Sequence, residues 1–429
     1  MNNCNGKLDN ICKVSNNIFR GENKGGIEMN AQKEIIGQRL NKVNPEILTS
    51  MLLISATILA LIMSNTELKE IYHYTFNDIK IFGEFNLHLL INDFLMAIFF
   101  LVVGCEIKHE ILYGHLSSIK KAAFPVIAAC GGVAVPAIIF LTLNYNTRFS
   151  NGIGIPISTD IAFAIGVFMI LKNKLDPNLK VFLLSLAVVD DLISILVIGI
   201  AYSSNINLVG IVGSIGVLCI LIYMNKILKV KKVMPYMILG MVLWFFVYTS
   251  KIHSTISGVL LAMCLPSNSH NSDKSVLDNI NEKLSPICNY LILPLFAFSN
   301  TGINLSANIN YGELKTLITG IMGGLIIGKP LGIMLFSYIG VRLHIIEKPK
   351  DTTWVSLLQV ATLAGIGFTM SIFVTDIAFS GSQGIIDASK ICILLAGIAS
   401  GSLTYLTVIL KPYLNRRYIM SSLPFGLGK

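Results

Sequence analysis

Residues 181–202 read VFLLSLAVVDDLISILVIGIAY, and this apolar stretch decides the fold class. A helix needs about 20 predominantly apolar residues to cross the hydrocarbon core of a bilayer, and the stretch is long enough. It also contains two adjacent aspartates, Asp190 and Asp191, which are costly in lipid and therefore mark function. The stretch predicts a membrane-spanning helix that carries an acidic pair.

Similar apolar runs follow one another along the 429 residues, with short polar loops between them. Hydrophobic residues make up 53% of the chain and charged residues 13%, whereas soluble proteins carry about 25% charged residues. A segment in lipid must satisfy its own backbone hydrogen bonds, which these runs achieve as helices. We therefore expect an all-α polytopic membrane protein. The net charge of +9 then reflects basic loops rather than binding to nucleic acid.

The apolar runs predict twelve transmembrane helices, of which the eighth and ninth are short for a full crossing. With both termini in the cytoplasm, most Lys and Arg residues fall in cytoplasmic segments, as the positive-inside rule requires. The predicted outer loops then hold Lys69, Lys80, Arg148, Lys251, Lys315 and Lys390. The predicted spans cover residues 46–64, 87–112, 122–143, 153–171, 181–202, 207–225, 233–250, 252–265, 286–299, 316–341, 354–379 and 387–412.

Three regions follow from this pattern: a polar cytoplasmic segment at 1–45, a transmembrane domain at 46–412 and a cytoplasmic tail at 413–429. The first region has two interpretations. Either residues 1–28 are part of a disordered tail, or translation starts at Met29, because the codons for residues 24–26 can resemble a bacterial ribosome-binding site. Mass spectrometry of the native N-terminus decides, since a peptide from residues 7–20 excludes the later start.

The loop after the first span partly alternates around Gly83, with FNDIKIF at 76–82 and EFNL at 84–87. This pattern predicts a small extracellular β-hairpin over residues 76–87, with an irregular loop as the alternative. An isolated hairpin is marginally stable in water. We therefore expect the same hairpin of a second subunit to complete it.

Charged residues inside the spans are the clearest functional signal. They are Asp160 in the fourth span, Asp190 and Asp191 in the fifth and Lys329 in the tenth, while Asp93 and Glu106 lie nearer the ends of the second. Each buried charge costs at least about 2.5–3.5 kcal/mol on insertion scales. Function is the favoured explanation, and an ion pair that only fixes packing is the alternative.

Adjacent residues of a helix point about 100° apart, so Asp190 and Asp191 can face different surroundings. A deprotonated carboxylate is a hard oxygen ligand suited to a small cation, and a proton competes for the same oxygens. That competition alone couples the movement of H+ to that of a cation. The sequence has no GxxxxGK[ST] phosphate loop, so we expect an ion gradient to drive transport, without ATP and without a cofactor.

Two glycine-rich stretches predict interrupted helices, GIGIPISTD at 152–160 in the fourth span and GIGFTMS at 365–371 in the eleventh. Such segments in matching positions of two halves are typical of a transporter binding site. Spans three to five and ten to twelve would then be inverted repeats. Opposed half-helix ends carry partial charges, which Asp160 and Lys329 would offset. Ordinary glycine-mediated helix packing is the alternative.

With these residues the sequence resembles the NhaA-type bacterial sodium/proton antiporters. The resemblance runs in order from about residue 36 to residue 412. The stretches that carry it are 92–108, 122–129, 158–164, 190–192, 291–298, 327–332 and 365–373.

The resemblance implies roles for the residues at the helix breaks. Asp191 would be the principal carrier of the ion and the proton, and Asp190 would be its neighbour, paired with Lys329. Asp160 would compensate the helix ends, and Thr159 would be an ion ligand. The interrupted eleventh span, which crosses the fourth, is marked by Gly365, Gly367 and Thr369.

The resemblance also implies a function. The family exports Na+ or Li+ and imports a larger number of protons, which makes the exchange electrogenic and serves sodium and pH homeostasis. It implies a homodimer joined through the extracellular hairpin, a location in the bacterial inner membrane, and activity that rises at alkaline pH.

The cytoplasmic pH-response region departs from the family pattern. Glu106 and Glu110 fit the family's acidic positions, but His109 stands where an arginine is common. Asn281 and Glu282 stand where a glutamate–histidine pair is common. Because histidine titrates near neutral pH, we expect a shifted pH threshold, in a direction that the sequence leaves open.

Two further residues stand out near the outer face. His253 matches a family histidine and joins the candidate pH-response residues. Asp376, near the outer end of the eleventh span, is not a typical family residue, and we interpret it as solvated.

Three other functions are alternatives to ion exchange. A sodium-coupled symporter of an organic anion is the main alternative, but it would need a buried arginine, and no predicted span interior carries one. A membrane aspartyl protease would need Tyr-Asp and Gly-x-Gly-Asp signatures, which the sequence lacks. A cation channel would leak rather than exchange, which transport against a gradient distinguishes.

Overall fold

The computed structural model describes residues 44–82, 85–114, 116–172, 174–202, 207–267, 275–305, 312–349 and 352–421. By its internal contacts the chain divides into Met1–Leu48 and Thr49–Lys429, and the features discussed below lie in the second unit. Nearly all of the predicted N-terminal segment, with the alternative start at Met29, lies outside the described residues, as does the chain beyond residue 421.

Helices dominate the described residues, and short connections join most of them. The described ranges contain four π-helical turns, at Tyr74–Asp78, at Leu90–Leu95 and Gly324–Gly328 inside longer helices, and at Cys288–Ile292 between two helices. The helices are α1 (Pro45–Ser64), α2 (Lys69–His73), α3 (Leu87–Leu112), α4 (Ile119–Asn144), α5 (Ile161–Ile170), α6 (Asn178–Ala201), α7 (Leu208–Lys226), α8 (Val233–Thr249), α9 (Ile256–Cys264), α10 (Val276–Ile287), α11 (Leu293–Asn300), α12 (Lys315–Arg342), α13 (Trp354–Ala364), α14 (Phe368–Ala378) and α15 (Gln383–Ser421).

Seven of the described helices are long and apolar enough to cross a membrane, and the pair α13–α14 adds an eighth candidate span. The two members of this pair are bent by 43° at the predicted interruption of the eleventh span. Two shorter helices, α5 and α8, are also apolar. The described helices therefore confirm the predicted polytopic membrane protein.

Two predicted boundaries are wrong. The ninth apolar segment, predicted at 286–299, extends back through a π-helical turn to α10, whose polar residues hid it from a search for apolar runs. The last helix begins at Gln383, four residues before the predicted start. Lys390, assigned to an outer loop, lies inside this helix and is buried.

The predicted hairpin forms, but its strands are shorter than expected. Strand β1 (Lys80–Phe82) pairs antiparallel with β2 (Phe85–Asn86), whereas residues 76–78 belong to the π-helical turn Tyr74–Asp78. The prediction of strand at 76–78 was wrong because aromatic packing favours the turn. The ring of Phe76 lies 5.0 Å from Tyr72 and 5.7 Å from Phe298, measured between centroids.

Helix α2, which precedes the hairpin, is anchored to the end of α11 by Tyr72. Its hydroxyl donates to the backbone oxygens of Phe298 and Ser299, the latter at 3.0 Å. Burial raises the pKa of Tyr72 above its ordinary value, so the hydroxyl stays protonated and remains a donor. This anchor fixes where the hairpin leaves the helical bundle.

Helices α4 and α12 pack closely because glycines face each other. A Cβ added at Gly131 would lie 2.2 Å from the backbone oxygen of Gly332, and one added at Gly332 would lie 2.0 Å from that of Gly131. Small residues that let backbones approach are typical of helix pairs in membranes. The contact lies one turn from Lys329, so it sets the position of that side chain.

Candidate functional site

The site begins at two breaks in the helical backbone. The first separates the 3-10 turn Ser150–Gly154 from α5, and residues 158–160 in it are neither helix nor turn. The second separates α13 from α14 at residues 365–367. Two hydrogen bonds connect the breaks. The backbone amide of Asp160 donates to the backbone oxygen of Ile366 at 2.8 Å. The hydroxyl of Thr159 donates to the backbone oxygen of Ala364, also at 2.8 Å.

Glycines make this close approach of backbones possible. A Cβ added at Gly365 would lie 2.5 Å from the backbone oxygen of Leu325 in α12, and one added at Gly367 would lie 3.1 Å from that of Ser158. Ser371, one turn into α14, donates its hydroxyl to the backbone oxygen of Ile155 at 2.7 Å. The predicted glycine motif therefore lies where the two interrupted segments touch.

Asp160 lies between the first turns of two helices. One of its carboxylate oxygens accepts the Phe163 amide of α5 at 2.9 Å. The other accepts the Thr369 amide of α14 at 3.0 Å and also the Thr369 hydroxyl. Helix N-termini carry partial positive charge and unpaired amides, so a single buried carboxylate stabilises both ends.

Lys329 extends from α12 to the opposite side of the first break. Its ammonium lies 2.7 Å from Asp190 Oδ2, and the two side chains are 1% and 3% exposed. The same ammonium donates to the backbone oxygen of Ile157, which precedes the break. The lysine thus joins the carbonyl end of an interrupted segment to the acidic pair of α6.

Asp190 and Asp191 are both buried in the middle of α6, but their surroundings differ. Asp190 uses one oxygen for Lys329, and its other oxygen, Oδ1, has no partner in the described part of the chain. Thr159 lies beside the Asp190 carboxylate. Asp191 has neither a hydrogen bond nor an ion pair among the described residues, although Asp190, Lys329 and Asp160 are its electrostatic neighbours. Unbound carboxylate oxygens therefore remain next to the Lys329–Asp190 ion pair.

The predicted pH-response residues of α3 lie on one side of this acidic pair. Glu106 is close enough to Asp191 to interact with it electrostatically. Glu110, one turn further on, accepts the hydroxyl of Ser185 in α6 at 3.4 Å. His109 and Glu106 are both exposed on α3, and the ring of His109 lies 5.5 Å from that of Tyr113. The two glutamates, rather than the histidine, connect this helix to the site.

The other predicted pH-response residues lie apart from these. Glu282 is exposed on α10, and the side-chain oxygen of Asn281 is buried. His253 lies between α8 and α9, where its ring packs against Phe373 of α14 at 5.8 Å. Its neighbour in sequence, Ser254, donates a hydroxyl to Asp93 of α3 at 2.5 Å. The structure therefore does not bring the predicted set together in a single cluster.

Sequence reasoning missed two features. Tyr202, after α6, donates to the backbone oxygen of Asn151 at 2.5 Å and accepts the Gly154 amide at 3.2 Å, which ties α6 to the first break. Asp376, interpreted as solvated, instead forms a 2.7 Å ion pair with Lys390. The signal for this pair was present, because Lys390, although counted with the outer loops, falls inside the predicted span 387–412, where a lysine requires a partner.

Comparison with known proteins identifies the family of the chain. The sequence profile described as "Na+/H+ antiporter 1" matches residues 41–408. The chain is 39% identical to the Na(+)/H(+) antiporter NhaA of Helicobacter acinonychis over 407 residues, which cover 84% of this chain and 92% of that protein. It is 41% identical to the Na(+)/H(+) antiporter NhaA 2 of Aliarcobacter butzleri over 384 residues, 86% of this chain and 96% of that protein. The chain therefore belongs to the Na+/H+ antiporter 1 family.

Proposed function

We propose that this protein exports Na+ or Li+ in exchange for protons, and that Asp190 and Asp191 bind the exchanged ions in turn. Exchange of Na+ for H+ is the activity of the family, which makes the protein a secondary transporter and not an enzyme. Family membership therefore favours exchange over symport of an organic anion. One observation carries the assignment to residues: Asp190 Oδ1 has no partner among the described residues, while Asp190 itself adjoins Asp191 in sequence and forms the buried ion pair with Lys329.

The chemistry of coupling follows from the carboxylates. Hard cations prefer oxygen ligands, and Asp191 together with Asp190 Oδ1 supplies them. The hydroxyl oxygen of Thr159, whose proton is donated to Ala364, retains a lone pair for the ion. A proton on Asp191 removes the charge that holds the cation. Na+ and H+ therefore exclude each other at this site, and each is carried across when the other has left.

Lys329 also allows Asp190 to take up a cation or a proton. While Asp190 is occupied by a cation or a proton, the ammonium keeps a partner in the Ile157 backbone oxygen. The buried charge is then never left without a hydrogen bond, which would be costly in this setting. Release of Asp190 from Lys329 makes Asp190 the second proton-binding group, so that more than one H+ enters for each Na+.

Such a stoichiometry moves net charge inward. Each elementary charge that crosses 100 mV contributes about 2.3 kcal/mol. Since about 1.4 kcal/mol corresponds to a tenfold ratio, the membrane potential supports a Na+ gradient of roughly 50-fold. Reversal potentials of the reconstituted protein measure the stoichiometry. Exchange whose rate and direction do not change with the membrane potential would exclude electrogenic exchange.

Asp160, Thr369, Gly365 and Gly367 form the scaffold of the site. Asp160 compensates the positive ends of α5 and α14, and Lys329 compensates the carbonyl end before the first break. The glycines keep the two breaks in contact. Both breaks sit on half-helices that can tilt, which allows the site to open to one side of the membrane at a time.

The proposed architecture has twelve spans. Eight of them are the candidate spans described above. The other four are the broken segment that ends in α5, helix α8, helix α9, and α10 together with α11. Spans three to five and ten to twelve form inverted repeats, with the broken members crossing at the site. Cysteine accessibility on both sides of the membrane tests this order of spans.

We propose that the protein lies in the bacterial inner membrane with both termini in the cytoplasm, because its relatives are Na+/H+ antiporters of bacteria. Residues 1–45 and 413–429 are the cytoplasmic segments that flank the transmembrane domain. We expect a homodimer in which the hairpins at 76–87 of two subunits pair, because two short strands alone are marginally stable. Light scattering in detergent tests this, since deletion of the hairpin should leave monomers.

Regulation by pH is assigned to the cytoplasmic end of α3. Glu106 interacts electrostatically with Asp191, and Glu110 accepts a hydrogen bond from Ser185 of α6. A change in the charge of either glutamate therefore changes the electrostatic potential at the site. His109, Glu282 and His253 are candidates for tuning the threshold. A pH titration of exchange by Glu110→Gln should show a displaced threshold, and an unchanged titration would remove Glu110 from this role.

The test of the proposed function is Na+-driven proton movement in proteoliposomes, read with an internal pH dye at clamped voltage. We expect the wild type to exchange Na+ and Li+ for H+. Asp191→Asn should lose at least about 100-fold in rate, equivalent to about 2.7 kcal/mol of lost stabilisation. The control Glu313→Gln, a 62% exposed carboxylate outside the site, should exchange normally. Normal exchange by Asp191→Asn would overturn the assignment.

A further inference from the structure

Among the described residues, a second ion pair of low exposure lies outside the site. The ammonium of Lys390 in α15 is 2.7 Å from Asp376 Oδ1 in α14, and the two side chains are 7% and 15% exposed. Both residues lie within apolar helices proposed to cross the membrane. The pair therefore fastens two neighbouring spans to each other through charge.

Other polar groups surround this pair. Asp387, one turn before Lys390, accepts a hydrogen bond from the side-chain amide of Gln383 at 2.9 Å. It also interacts electrostatically with Lys390. His88 of α3, which contacts Asn300 of α11 at 3.1 Å, is within electrostatic range of both members of the pair. The second oxygen of Asp376, Oδ2, is buried and has no partner among the described residues. Helices α3, α11, α14 and α15 thus meet around one ion pair.

The pair acts on the helix that carries half of the site. Thr369, at the start of α14, donates to Asp160, and Asp376 follows seven residues later on the same helix. Residues seven apart lie on nearly the same face and about 10.5 Å apart along the axis. A tilt of α14 relative to α15 that separates Asp376 from Lys390 therefore also moves Thr369 relative to Asp160.

Stability does not explain the pair. Replacing a buried ion pair with apolar groups of similar volume is often neutral or stabilising, because two desolvated charges recover little by attracting each other. A buried pair of this kind is better suited to discriminating between two arrangements. It is close and favourable in one arrangement, and costly when the partners separate in the other.

We propose that Asp376 and Lys390 are positioning residues that hold α14 against α15 in one of the two conformations of the exchange cycle. The ion pair then sets the balance between the inward-facing and outward-facing states. This inference rests on the proposed function, because it requires a site that is reached from one side at a time. It assigns no ion binding to Asp376 itself.

The test compares the apparent affinity for Na+ on the two sides of the membrane. A change that favours one state raises the apparent affinity for Na+ on the side to which that state opens and lowers it on the other side. We expect the apolar double variant Asp376→Leu/Lys390→Met to change the two apparent KM values for Na+ in opposite directions, each by about fivefold or more. The measurement uses proteoliposomes in which all transporters of one orientation are blocked.

Two further variants keep the test decisive. The charge swap Asp376→Lys/Lys390→Asp should return both KM values towards those of the wild type, because the attraction is restored with its direction reversed. The exposed pair Arg148–Glu313 is the matched control, and Arg148→Gln/Glu313→Gln should leave both KM values unchanged. The apolar double variant is expected to fold, since both members of the ion pair are removed together and Asp387 keeps its hydrogen bond from Gln383.

Each of three outcomes would overturn the inference. Two KM values that remain unchanged in the apolar double variant, or that move in the same direction, would overturn the inference while leaving the proposed function intact. A double variant that fails to fold would show that the pair is needed for structure and would also overturn it. A wild-type protein without exchange would overturn the proposed function, and the inference with it.

Discussion

Two lysine–aspartate pairs in the described part of the chain have the same 2.7 Å separation but different surroundings. Lys329–Asp190 lies at the helix breaks, with 1% and 3% of its side chains exposed, next to the unpaired carboxylate of Asp191. Lys390–Asp376 joins α14 to α15, with 7% and 15% exposed. Next to Lys329–Asp190 the backbone is interrupted and Asp190 Oδ1 has no partner among the described residues, whereas Asp387, next to Lys390–Asp376, accepts a hydrogen bond from Gln383. We therefore propose an ion-binding site only at the first pair.

Helix α14 connects the two pairs. Its first turn contacts Asp160 at the site, and its last turn carries Asp376. We therefore expect changes at either end of this helix to affect exchange, but in different ways. Changes at the site should alter ion binding, and changes at Asp376 should alter the balance between conformations.

The largest effect on stability is expected from loss of the buried lysine at the site. Lys329→Met leaves Asp190 buried without its partner, which should lower the free energy of unfolding by about 3–5 kcal/mol. Lys390→Met should lower it less, by about 1–3 kcal/mol, because Asp376 is more exposed and water can reach it. Denaturant unfolding in detergent micelles measures both values. Equal losses, or a larger loss for Lys390→Met, would contradict the difference drawn between the two pairs.

An intermediate effect is expected at the start of α14. Thr369→Val removes the hydroxyl that donates to Asp160 but keeps the backbone amide, so we expect a loss of about 1.5–3 kcal/mol, typical of a hydrogen bond to a charged group. The matched control is Thr375→Val on the same helix, whose hydroxyl donates only to the Ser371 backbone oxygen of the preceding turn. The same unfolding measurement applies. If the two variants lose the same amount, the Asp160 contact does not stabilise the break.

The smallest effect is expected at an ion pair in water. Arg148 and Glu313 lie 3.1 Å apart with 60% and 62% of their side chains exposed. Arg148→Ala should change the free energy of unfolding by no more than about 1 kcal/mol, because solvent screens exposed charges. A larger loss would mean that distance alone, rather than burial, decides what an ion pair contributes in this protein.

Much of the fold could be predicted because hydrophobic length is a strong signal in membranes. The runs at 46–64, 87–112 and 181–202 became α1, α3 and α6 with boundaries shifted by a few residues at most. The break in the eleventh span was predicted from two glycines that proved necessary for backbone contact. These signals are local, since each depends on residues within a single segment.

What could not be predicted depends on partners distant in sequence. The polar helix α10 resembles a loop until the bundle around it is known, and Phe76 was read as strand because its packing on Phe298 is invisible in the sequence. Asp376 was interpreted as solvated for the same reason, since its partner Lys390 belongs to another helix. At the site, the sequence identified the charges, whereas the unpaired state of Asp190 Oδ1 required coordinates.

The central claim is that a proton and Na+ compete for the same carboxylates at Asp190 and Asp191. Calorimetry of Na+ binding to the purified protein, repeated in two buffers with different ionisation enthalpies, counts the protons released for each Na+ bound. The account predicts proton release by the wild type and its loss in Asp191→Asn. Na+ binding by the wild type without proton release, at every pH at which it exchanges ions, would contradict the account.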